Sequence, residues 1–125
     1  MRSGVPLASA AVRRWSLRDI ETPAGKRSPI VLHSSVEARA VLVALEPGEE
    51  LGAHQVKENE FVAVVDGTIR VEAGGESFDA GVGELLAFEP DEQRGISSAD
   101  GARLLLFLAP WPGEGHYRGE ARAGS

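Results

Sequence analysis

Gly48, His54, Glu60 and Gly67 stand in the order Gly-x5-His-x-Val-x3-Glu-x6-Gly, with Val56 two residues after the histidine. A histidine and a glutamate brought together can act as a general acid–base pair on a bound substrate. They can also serve as imidazole and carboxylate ligands of a divalent metal. Along a strand, His54 and Val56 share a face, and Glu60 opens the next strand toward the same side. Other chemistries are excluded by what the chain lacks. It has no cysteine, hence no thiolate catalysis, disulfide or Cys-ligated metal. There is no Gly-x-Ser-x-Gly turn for a serine nucleophile, and no glycine-rich phosphate loop. Of the paired carboxylates Glu49 with Glu50 and Glu58 with Glu60, only Glu60 is expected to face inward. Lys57 to Glu60 otherwise reads as a solvated loop.

These residues need a frame, and the turn-formers supply it. The 125 residues fit one domain, and 15 Gly plus 7 Pro break the chain too often for a helix bundle. Short apolar runs at 30–33, Arg39–Leu45, 51–56, 61–65, 68–73, 77–79, Leu85–Phe88, Arg94–Ser97 and 103–108 alternate with turn signals every 8–12 residues or so, the rhythm of a sandwich or small barrel. Asp66-Gly67 reads as a tight turn closing 61–65, and the run 68–73 ends at Gly74-Gly75. Residues 1–28 form an N-terminal arm or edge strand, 29–109 the barrel, and 110–125 an irregular tail anchored by Trp111. Glu60, Val62 and Val64 share one face and Phe61, Ala63 and Val65 the other. Apolar residues on both faces of this run, of 41–45 and of 103–108 require a cover outside the barrel. Either residues 15–20 or a second subunit supplies it, and a homodimer is expected.

The net charge of −6 argues against a nucleic-acid partner. No run of ~18 apolar residues suggests a membrane span, and residues 5–12 do not read as a signal peptide. A cytoplasmic location is expected.

The Gly48–Gly67 spacing resembles the first motif of the cupin family, with Val56 where that motif has its second histidine. The second motif is matched by Gly83, by Pro90 one place late, by Asp91 for its glycine, Arg94 for its histidine and Ser98 for its asparagine. Residues 30–109 and the Trp-Pro-Gly at 111–113 are similar to the small single-domain conserved-barrel cupins. The resemblance implies an all-β, cupin-type double-stranded β-helix, or jelly-roll, barrel. In metal-binding cupins three His and one Glu converge on one divalent ion inside the barrel. Here only His54 and Glu60 match that set, so no metal cofactor is expected. A divalent transition metal held by His54 and Glu60 would need further ligands, such as His33 or Glu92. The expected pocket comprises His54, Glu60, Arg94, Val56 and His33, and its partner is a small, possibly anionic, ligand. Arg94 admits three readings: an internal tie to Glu60, a donor to an anion, or, with the register shifted by one, a surface residue with Gln93 inward. Catalytic residues are not identified. A metal-dependent oxygenase or isomerase, or a sensor or interaction module without chemistry, stands as the alternative.

Overall fold

One strand, Asn59–Ala73, organises the molecule. In the computed structural model, which describes residues 12–22, 29–51 and 56–111, it is the third of seven strands and runs for 15 residues. The strands are β1 (Ile30–Ser34), β2 (Arg39–Leu45), β3 (Asn59–Ala73), β4 (Glu76–Gly81), β5 (Leu85–Phe88), β6 (Arg94–Ser97) and β7 (Ala102–Ala109). All pairings are antiparallel, in the order β1-β2-β7-β3-β4, and both β5 and β6 also pair with β3. The first half of β3 lies between β7 and β5. Its second half lies between β4 and β6. Among the described residues there is no α-helix, and so none long and apolar enough to cross a membrane.

The length of β3 corrects one expectation. Asp66-Gly67 does not close a hairpin; the chain runs straight through it. The pairing with β7 slips between Val64 and Asp66, and Gly67 takes φ +83°. A bulge inserts an extra residue and so reverses which parity faces inward. Before it the even residues Glu60, Val62 and Val64 are buried; after it the odd residues Ile69 and Val71 are. Glycine is needed there because a Cβ on Gly67 would lie 2.3 Å from the Gly101 carbonyl oxygen and 2.8 Å from Ala102 Cα. The run does end at Gly74-Gly75, where both residues take positive φ and the chain turns from β3 into β4.

The two halves enclose a core of Val41, Val43 and Leu45 from β2, Val62, Val64, Ile69 and Val71 from β3, Ile96 from β6 and Leu104 from β7. Each such side chain, fully buried, contributes about 1.5–3 kcal/mol relative to exposure. Residues 12–22 cross the outer face of the first sheet, made of β1, β2, β7, the first half of β3 and β5, the second being β4, β6 and the other half of β3. Arg103 donates to the Leu17 carbonyl (2.7 Å), Arg18 pairs with Asp66 (3.3 Å), and Arg13 meets His33 Nδ1. This segment therefore supplies part of the cover that the doubly apolar strands require. Phe107 next to Phe61, and Leu85, stay 40% and 66% exposed for the first and last of these.

Candidate functional site

Cross-strand partners share a face, so the register locates Glu60 and His33 relative to each other. Ser34, Arg39, Leu108, Glu60 and Phe88 are opposite one another in turn across β1, β2, β7, β3 and β5, forming one row on the inner face. His33, Ala40, Phe107, Phe61 and Ala87 form the adjacent row on the outer face. His33 is thus separated from Glu60 by the sheet itself and is held by Arg13 under the N-terminal segment. The strand pairing sets it there: one residue along an edge strand reverses the face. His54 lies outside the described residues, as does His116. Val56 is half-buried, and its carbonyl accepts from the Asp91 N–H (2.7 Å). An ion pair between Lys57 and Asp91 (2.9 Å) lies beside that bond.

Glu60 and Arg94 do meet. Each is 1% exposed, and Arg94 Nη1 donates to Glu60 Oε1 at 2.6 Å. Glu60 belongs to the first half of β3, whereas Arg94 pairs opposite Ala73 at the end of the second half. The ion pair therefore spans the barrel from sheet to sheet. Arg94 Nη2 donates to the Glu89 carbonyl (2.9 Å), and its guanidinium carbon stands 4.6 Å from the centre of the Phe88 ring. Of the three readings of Arg94, the inward register holds; Gln93 is exposed.

Arg94 Nε has no hydrogen-bond partner. Leaving a buried donor unsatisfied costs about 1–3 kcal/mol, more for a charged group.

Glu58 corrects the solvated-loop reading of residues 57–60: it is 1% exposed. The alternation that places Glu60, Val62 and Val64 inward extends one step back to it, a signal present in the sequence. Arg39 was also missed. Its guanidinium lies 4.0 Å from the Trp111 ring centre, and its Nε donates to Ser34 Oγ (3.2 Å). Glu50, Glu72, Glu76 and Glu92, with Arg70 and Arg94, border an open concavity of about 680 Å³ on β3, β4 and β6. Arg70 is paired with Asp79 there.

Residues 41–109, more than half of the chain, match the family described as Cupin domain. No curated protein matches the chain in sequence. Among solved structures, an RmlC-like cupin from Shewanella frigidimarina is similar at 23% identity and TM-score 0.66, over 74% of this chain and 83% of that one. A cupin superfamily protein from Desulfitobacterium hafniense is 15% identical with TM-score 0.67, over 87% and 92% of the two chains. A protein with a double-stranded β-helix domain from Klebsiella pneumoniae is 16% identical with TM-score 0.69, over 79% and 90%. At these identities the structural likeness establishes the fold alone.

Proposed function

This chain belongs to the cupin domain family, and on that premise we propose that it binds a small polar molecule in its barrel, at Glu60 and Arg94, without a tightly held transition metal. The buried Arg94 Nε carries the reading. A charged donor sealed from solvent calls for an acceptor oxygen, from a bound molecule or from ordered water. Glu60 in β3 and Glu58 just before it are buried carboxylates, a type of group that accepts from hydroxyl or amine donors.

The described side chains do not fit a divalent metal. Glu60 already holds the Arg94 guanidinium at 2.6 Å, and arginine, permanently charged, cannot coordinate a metal. A cation placed beside Glu60 would be repelled by that guanidinium. Among the described residues no three His, Asp or Glu side chains converge. Arg94 thus stands beside Glu60 where an ion would otherwise sit, its charge balanced by that carboxylate.

Two measurements test this reading. Elemental analysis of protein purified without chelators is expected to find iron, manganese, nickel, copper and zinc all well below one per chain. A stoichiometric metal would overturn the proposal and favour the oxygenase or isomerase alternative. Thermal-shift screening against hydroxy acids, polyols and amines is expected to find saturable stabilisers. A barrel that none of them stabilises would remove the ligand-binding reading.

A further inference from the structure

Arg94 is neutralised by Glu60, so the positive charge available to an incoming ligand must come from elsewhere. Among the described residues Arg13, Arg14, Arg18, Arg39, Lys57, Arg70, Arg94 and Arg103 are the cations. Arg18, Lys57, Arg70 and Arg94 are paired with carboxylates. Arg13 meets His33, and Arg103 is tied to the Leu17 carbonyl, both on the outer face. Arg14 is exposed on the N-terminal segment. Arg39 differs from all of these. It lies in the inner-face row that contains Glu60, two strands away, and it is half-buried. Trp111 packs against its plane and Ser34 accepts from its Nε, so both the orientation and one edge of the guanidinium are fixed.

We propose that Arg39, held by Trp111 and Ser34, is an anion-recognition site at the rim of the barrel, and that it takes the carboxylate of a small ligand. With Nε engaged, the end-on edge formed by Nη1 and Nη2 presents two parallel N–H donors. That edge matches the two oxygens of a carboxylate in a bidentate fork. An aromatic face beneath the guanidinium lowers the entropy lost when the fork closes, because the side chain is already ordered. Successive strands lie about 4.8 Å apart, so Arg39 and Glu60 stand about 10 Å from each other across β7. A molecule with a carboxylate at one end and polar groups at the other would span that interval over Leu108. The rim site deepens the pocket reading given above and rests on it for the far end of the ligand only. Carboxylate capture at Arg39 needs nothing from Arg94.

The test uses the full chain carrying Trp15→Phe, so that Trp111 is the sole tryptophan, titrated with sodium succinate, acetate, inorganic phosphate and glycerol. Trp111 emission is expected to change saturably with succinate and acetate, with affinity falling as sodium chloride is raised. In the same background Arg39→Gln should weaken succinate binding roughly tenfold or more, and Arg39→Lys, which keeps the charge but loses the fork, should fall between. Should Arg39→Gln fail to fold, Ser34→Ala provides the second variant: it frees Nε, and a severalfold loss of affinity is expected. Phosphate binding without carboxylate binding would overturn the ligand class. An emission trace that is flat with all three anions, or a succinate response identical in Arg39→Gln, would overturn the site and leave Arg39 as an anchor for the tail. Glycerol or another neutral polyol that stabilises the protein while succinate does not would refute the rim site and leave the Glu60–Arg94 pocket standing. Arg39-dependent succinate binding in a protein that holds one transition metal per chain would do the reverse.

Discussion

Breaking the Glu60–Arg94 pair from one side leaves a buried charge without the opposite charge that now meets it at 2.6 Å. Glu60→Gln or Arg94→Met is therefore expected to lower stability by about 3–5 kcal/mol in urea unfolding. The combination of Glu60→Leu with Arg94→Met removes both charges at similar volume and should recover most of that loss, since a well-packed apolar pair is often as stable as a buried ion pair. If the double variant is as unstable as either single one, the charges have partners beyond each other, and the contact at 2.6 Å is only part of the network. At this scale the sequence is partly legible. The spacing from Gly48 to Gly67 singles out Glu60, and the second motif points to Arg94, but only the fold shows that they face each other. Glu58 is recoverable from alternation. Arg39 is not, because its position beside the pocket is a consequence of which residue of β7 it meets, and register between distant strands is not written in either strand alone.

The strands themselves are the most legible level, and Asp66-Gly67 marks its limit. A Gly after an acidic residue at positive φ serves a two-residue hairpin and a bulge equally well. What separates them is whether the following residues fold back or continue, and here they continue because β4 and β6 receive the second half of β3. The boundaries of β2, β5 and β6 follow from their turn-formers, and those of β7 extend one residue beyond each end of the apolar run. Two substitutions measure the bulge. Gly67→Ala combines φ +83° with a Cβ driven into the Gly101 carbonyl and is expected to cost roughly 2–4 kcal/mol. Gly74→Ala, at φ +61° with open space around it, should cost only about 1–2 kcal/mol. Equal losses in thermal unfolding would mean that the β3 backbone yields at Gly67, and the tight approach to β7 would no longer explain the glycine.

For the whole molecule, the outer face of the first sheet decides the assembly. Residues 12–22 reach β1, β3 and β7 through Arg13, Arg18 and Arg103, which answers part of the need for a cover. Phe107 and Leu85 are left facing solvent. Two-fold pairing through this remainder is the expected state, since a second copy brings the same apolar patch. Sedimentation at micromolar concentration should give a dimer, and Phe107→Asp should give a monomer with an unchanged far-ultraviolet spectrum. A monomeric parent chain would assign the whole cover to the N-terminal segment. The sequence exposed this problem through strands apolar on both sides but could not choose between the two covers, because each is made of ordinary side chains. The 15-residue span of β3 has a consequence of another kind. Since every other sheet partner but β1 and β2 hydrogen-bonds to it directly, neither half of the barrel possesses a complete set of strands without it. Opening β4 and β6 strips one half of β3 while the other half remains clamped, so partial unfolding offers little release of chain entropy. Amide protons of Val62 and Val71, one in each half, should then exchange with deuterium at a common slow rate governed by a single global opening.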